Sequence, residues 1–207
     1  MIEKSFQQIV ESLAAKTPTP GGGAAAAQAA AMGTALFLMV VRFSRGKKAN
    51  LDKDADLAAA ETTLAALLVR VQPMAERDCA SFDRVSLAYQ LAKETDEQKK
   101  LRGRAIEEAM VGAMVVPEET LCLVRDAFAA MVKVHGCIAK NICSDLGSGA
   151  ALLEAAAEGA TLNVRINAGF LADRERASIA LGRVAAVRQE VTRDLAVIRA
   201  AVEKLMA

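Results

Sequence analysis

Aromatic residues are scarce in this chain: tryptophan is absent, tyrosine occurs once, and aromatics make up only 3% of 207 residues. A core drawn from 53% hydrophobic residues must therefore be built mainly of Ala, Leu, Val and Met, a composition that favours close-packed helices. Sustained period-2 alternation is missing, as is any internal repeat, so no strand is required anywhere. Neither sign of charge dominates. The 26 Lys and Arg against 25 Asp and Glu leave a formal +1, which excludes the broad basic footprint of a nucleic-acid-binding surface. The one histidine, His135, has no metal-ligand partner at helical spacing, and Cys79, Cys122, Cys137 and Cys143 include no C-x-x-C pair. No metal is expected, and a reducing, cytoplasmic compartment fits these cysteines best. The chain opens with Glu3, Lys4 and an amphipathic segment, without the basic start and apolar run of a secretory signal. One domain over residues 1–207 with a substantial core is expected at this length.

What is present reads as helices. Ser5 and Gln8 form a capping-box pattern, and Phe6, Ile9, Val10 and Leu13 make an apolar stripe up to about Lys16. TPTPGGG (residues 17–23) stops that helix, because two prolines and three glycines cannot continue it. No charge occurs from Ala24 to Val41, a stretch almost long enough to span a bilayer. Alanine inserts weakly, however, Gln28 and Thr34 interrupt the run and no second span accompanies it, so a central core helix is predicted and no membrane. Ala25, Ala29 and Gly33 leave one face of that helix almost bare for close packing.

Further on, Leu57, Leu64 and Val71 mark a helix from about Asp52 that Pro73 bends or restarts, and the stripe continues as Met74, Asp78, Phe82, Val85 and Tyr89. A charged run (residues 96–104), read as a solvated face, leads into a helix ending near Val116, and Pro117 is expected to start the next. A polar break (residues 141–149) precedes a helix to about Leu171. The last helix, from about Asp173, carries Val184, Val191, Ile198 and Leu205 at heptad spacing. The predicted fold is an all-α, single-domain bundle around a buried Ala-rich central helix.

Polar residues in apolar places mark the candidate chemistry. Gly21, Gly22 and Gly23 abut the start of the central helix, whose unpaired N–H groups and positive dipole end suit an anionic or polar ligand; a turn that merely needs positive φ is the plainer account. Asp78 falls within its helix's apolar stripe, so its carboxylate must be hydrogen-bonded, paired with an arginine, or left with a raised pKa for proton transfer. Asp83 points away. Asn163 and Asn167 project together from one apolar face and suit the alternating donors and acceptors of a heteroaromatic ring edge, or else they cross-link helices. Ser144 and Asp145 read as a helix N-cap. Arg42, Arg45, Lys47 and Lys48 form a basic cluster able to attract a ligand carboxylate where the central helix emerges. His135 and Cys137 lack a third ligand or a nucleophile motif and are taken as bystanders.

Several segments in one order resemble the cyclodeaminase/cyclohydrolase family. They are LAAKTPTPGGGAAAA (residues 13–27), SRGKK (44–48), DCASFDRV (78–85), the VP at Val116 and Pro117, SDLG (144–147) and LNVRIN (162–167). The chain departs from the family pattern at Ala24, where a serine is common, and around residues 135–143, where a Gly-Asn-rich loop is usual. The resemblance implies an all-α fold, commonly a homodimer, and a tetrahydrofolate derivative as substrate with no metal or other cofactor. By residue it implies substrate-binding roles for Gly21, Gly22, Gly23, Lys47, Lys48, Asn163 and Asn167, and catalytic roles for Asp78 and Asp145. The expected activity is hydrolysis of 5,10-methenyltetrahydrofolate, the alternatives being formiminotetrahydrofolate cyclodeamination and a non-catalytic helical folate-binding or oligomerisation module.

Overall fold

The computed structural model describes residues 4–207, so Glu3 of the opening segment lies outside it. Among the described residues there are seven α-helices and no strand: α1 (Phe6–Ala14), α2 (Gly22–Ser44), α3 (Asp54–Val71), α4 (Met74–Tyr89), α5 (Asp96–Val132), α6 (Cys143–Phe170) and α7 (Arg174–Met206). Three 3-10 turns, Lys48–Lys53, His135–Cys137 and Lys140–Ile142, join them. The predicted all-α architecture is what the chain adopts.

Sequence signals set most of the boundaries. The Ser5–Gln8 capping box closes the start of α1 with both hydrogen bonds in place, and Thr95 with Gln98 does the same for α5. Asp173 accepts from the Arg176 N–H at the start of α7. Pro73 lies between α3 and α4 and restarts the chain as a new helix. Two expectations fail. Pro117 begins no new helix but sits buried inside α5, which runs continuously for 37 residues; the bundle around Pro117 outweighs the lost backbone hydrogen bond. The polar break is not a loop either, since α6 starts at Cys143 and takes in Ser144, Asp145, Gly147 and Gly149. Within it Gly149 packs against α2: a Cβ there would stand 2.9 Å from Cδ1 of Phe37.

The core is centred on α2, which packs most extensively against α6 and also meets α3, α4 and α5. The helix is long and apolar enough to cross a membrane, and 56% of its most apolar window is buried by the rest of the protein. Small residues set its approach to α6. A Cβ on Gly33 would meet Cγ of Leu153 at 2.7 Å and the Gly149 carbonyl oxygen at 2.9 Å, and one on Gly159 would meet Ala26 Cβ at 2.9 Å. These pairs run in opposite order along the two helices, so α6 is antiparallel to α2 and its last turns lie beside the glycine turn. Phe37 and Phe128 meet edge to face at 5.6 Å between centroids, tying α2 to α5 in a core otherwise made of aliphatic side chains.

Candidate active site

The glycine turn places the start of α2 beside α4 and the end of α6. Gly21 is the N-cap residue and has no side chain to accept from the first-turn N–H groups. Asp78 of α4 takes over that task from another helix: its carboxylate accepts from the Ala24 N–H. Only glycine permits the approach, since a Cβ on Gly23 would lie 2.6 Å from Cγ of Asp78. Among the described residues Asp78 has no arginine partner. Desolvation raises its pKa above the ordinary 3.8, and the Ala24 N–H opposes that rise to a lesser degree. A carboxyl held this way is a stronger base than one in water.

The two asparagines stand across from it on α6. Asn163 Nδ2 donates to the Gly159 carbonyl at 2.8 Å, and Asn167 Nδ2 donates to the Ala113 carbonyl of α5 at 3.0 Å. Each amide thus has one N–H anchored in the protein, which fixes its plane, and keeps its carbonyl oxygen and a second N–H for a ligand. Gly22 lies against Asn163, whose Nδ2 is 3.5 Å from where a Cβ would be. Between these groups lies a cleft of about 280 Å³, walled by Thr19, Phe82, Val85, Met110, Ile166 and Phe170. Wider grooves run between α4 and α5 and between α3 and α5, but neither holds a desolvated acid beside paired amides.

The structure therefore brings Gly21, Gly22, Gly23, Asp78, Asn163 and Asn167 into one cleft. It does not bring Lys47, Lys48 or Asp145 there. Lys47 and Lys48 follow the far end of α2, about 33 Å from Gly22 at 1.5 Å per helical residue, and Asp145 lies in the first turn of α6 at that same far end. A single pocket holding all nine residues is not what one chain forms. The SRGKK turn has its own order: Gly46 has φ +64, its N–H donates to Asp54 at 2.9 Å, and Arg45 pairs with Glu61 at 2.8 Å, leaving Lys47 and Lys48 exposed. Ser144 and Asp145 lie inside the first turn of α6 rather than at its N-cap, which is Ile142.

Sequence reading missed Thr19, Ser81 and Met110 as lining residues. Ser81 was legible, since it lies one turn after Asp78 on the same face, where its hydroxyl donates to the Asp78 carbonyl at 2.7 Å. His135 and Cys137 sit in a 3-10 turn away from the cleft. Cys79, next to Asp78, has its thiol pushed up by burial first and then by the charges of Asp78 and Asp83, so it stays protonated and poorly nucleophilic.

The raised pKa of Asp78 carries a stability prediction. Because the folded state binds this proton more tightly than the unfolded chain, the Asp78 contribution to stability is fullest below the ordinary carboxyl range and declines as pH rises through the raised value. Asp78→Asn should therefore be more stable than the parent at pH 7 in urea denaturation, and the difference should close near about pH 4. A variant less stable at pH 7 would mean that the cap to Ala24, not desolvation, dominates.

Comparison with known proteins places the chain in a family. The formiminotransferase-cyclodeaminase family matches residues 5–186. A methenyltetrahydrofolate cyclohydrolase of Methylorubrum extorquens is 36% identical over 173 residues, covering 83% of this chain and 82% of that protein. The formimidoyltransferase-cyclodeaminase of Gallus gallus is 29% identical over 206 residues, which is 99% of this chain but only 38% of the larger protein. A crystal structure of formiminotetrahydrofolate cyclodeaminase from Thermotoga maritima superposes with a TM-score of 0.87 at 23% identity, covering 99% of this chain and 98% of that one, which is a likeness of fold.

Proposed function

Since the chain belongs to the formiminotransferase-cyclodeaminase family, we propose that it is a folate one-carbon enzyme that hydrolyses 5,10-methenyltetrahydrofolate to 10-formyltetrahydrofolate. The observation that carries this is the desolvated Asp78 carboxyl facing two anchored amides in one cleft. The substrate's one-carbon bridge is cationic, and water must lose a proton as its oxygen bonds to that carbon. In the proposed mechanism Asp78 accepts this proton and its charge offsets the bridge's cation. The adduct then opens by breaking the bond between the bridge carbon and N5: Asp78 returns its proton to N5, the adduct's hydroxyl gives up its proton to solvent as its C=O forms, and the carbon stays on N10 as a formyl group, one proton being released overall. Asn163 and Asn167 would hold the pterin edge by their free carbonyl and N–H groups. The sequence is a hydration and a ring opening without redox change, so we propose that no cofactor takes part.

The cyclohydrolase is preferred to the cyclodeaminase because the relative at 36% identity that bears that name matches over 83% of this chain and 82% of its own length. We further propose a homodimer and, from the four free cysteines, a cytoplasmic location. Purified protein assayed separately with methenyltetrahydrofolate and formiminotetrahydrofolate tests the reaction. Turnover of the first with formyl product is expected; ammonia release from the second alone would assign the cyclodeaminase, and tight binding with no turnover of either would assign a carrier.

A further inference from the structure

Burial explains why α5 tolerates Pro117, but not what a proline does there. In an unbroken α-helix the N–H of each residue donates to the carbonyl four residues before it. The proline nitrogen carries no hydrogen, so one carbonyl loses its ladder partner. That carbonyl belongs to Ala113. It is the same one that Asn167 Nδ2 of α6 reaches at 3.0 Å, and both Ala113 and Asn167 line the cleft. Ala113 is buried, so its carbonyl depends on a partner from within the protein.

The match also has a direction. A carbonyl in a regular helix points along the axis into its own ladder, whereas a proline ring crowds the carbonyl one turn back and favours its leaning off the axis, toward a donor on a neighbouring helix. Asn163 is the contrast, since it donates to Gly159 in its own helix and needs no gap in another. An amide has two ends of nearly equal shape, and a half-turn exchanges its donor for its acceptor. Turned round, Asn167 would set its oxygen against the Ala113 oxygen and leave that buried acceptor unmet, an arrangement disfavoured by about tenfold or more. The bond to Ala113 thus decides which way the carbonyl oxygen and the second N–H of Asn167 face.

We infer that Pro117 is a positioning residue of the active site: by withholding one backbone N–H it commits the Ala113 carbonyl to Asn167, and so fixes the polarity with which Asn167 meets a heteroaromatic ring edge. That this edge is the pterin of a folate rests on the function proposed above. Pro117 does not itself line the cleft, and it acts through Ala113 on its own helix and Asn167 on the next. A residue that ordinarily marks a helix break is here placed where no break occurs, because the missing donor is what the neighbouring amide uses.

Pro117→Ala returns the missing N–H in the best helix-forming residue and should stay folded. Its KM for methenyltetrahydrofolate should rise about tenfold with kcat within about twofold of the parent, the split expected when binding orientation is lost and the chemistry is not. Val116→Ala is the matched control, because it truncates the neighbouring buried side chain and keeps the proline. Its KM should stay within about twofold of the parent. An equal rise in KM there, or none in Pro117→Ala, overturns the inference. Thermal denaturation tests the same link without any folate. Asn167→Ala should lower Tm by roughly 2–6 °C in the parent, where it strands the Ala113 carbonyl, and by little or nothing in the Pro117→Ala background, where the helix ladder meets that carbonyl. Equal losses in the two backgrounds overturn the inference; should Pro117→Ala not fold, an unchanged Tm in Asn167→Ala alone does so. A parent that turns over neither folate would defeat the functional proposal, while the Tm comparison would still decide the role of Pro117.

Discussion

Asp78→Asn is expected to lower kcat by about a hundredfold or more while the protein stays folded. The substitution is nearly isosteric, and the amide oxygen can still accept from the Ala24 N–H, so the cap on α2 survives and only the charge and basicity are lost. Should kcat fall while KM changes little, Asp78 acts in the transition state rather than in ground-state binding. The parent's kcat/KM should also fall on the acid side, through a value raised above the ordinary carboxyl range by burial, because the base works only when ionised. That limb should be missing from the variant. Turnover within a few fold of the parent would leave Asp78 as a helix cap alone.

Gly33→Leu is expected to destabilise the fold by about 3 kcal/mol, a drop in Tm of roughly 6–12 °C for a chain of this size. The added side chain would meet Leu153 Cγ and the backbone oxygen of Gly149 closer than carbon atoms pack, and a backbone oxygen cannot rotate away. Helix propensity pulls the other way, since leucine outranks glycine by up to about 1 kcal/mol. Gly182→Ala isolates that opposing contribution. A Cβ there meets nothing within 4 Å, so this variant should match or slightly exceed the parent's stability. Thermal and urea denaturation of the two variants would separate steric exclusion from propensity, and a neutral Gly33→Leu would mean that α2 and α6 can slide apart.

Signals read along one helix held, and those needing knowledge of what lies across from it did not. The glycine turn, the acid within the α4 stripe and the paired amides of α6 each break a local pattern, and those breaks meet in space. Pro117 was misjudged because its cost is local while the burial that outweighs it is contributed by distant residues. The polar break over residues 141–149 fails for a related reason: the segment is helical from Cys143, and what holds Gly149 there is its contact with Phe37, a residue distant in sequence. The lysines and Asp145 belong to segments that resemble the family as clearly as the glycine turn does, but a resemblance carries no distance. That they lie a helix length away became visible only with the antiparallel course of α2 and α6.

Helix α2 also behaves as a ruler. Its first turn holds the Asp78 carboxylate and its last runs into the Gly46 bend. Inserting or deleting one residue between them would rotate one end against the other by about 100° and slide it by about 1.5 Å. The residue count between Gly22 and Gly46 therefore cannot change without unseating one terminus.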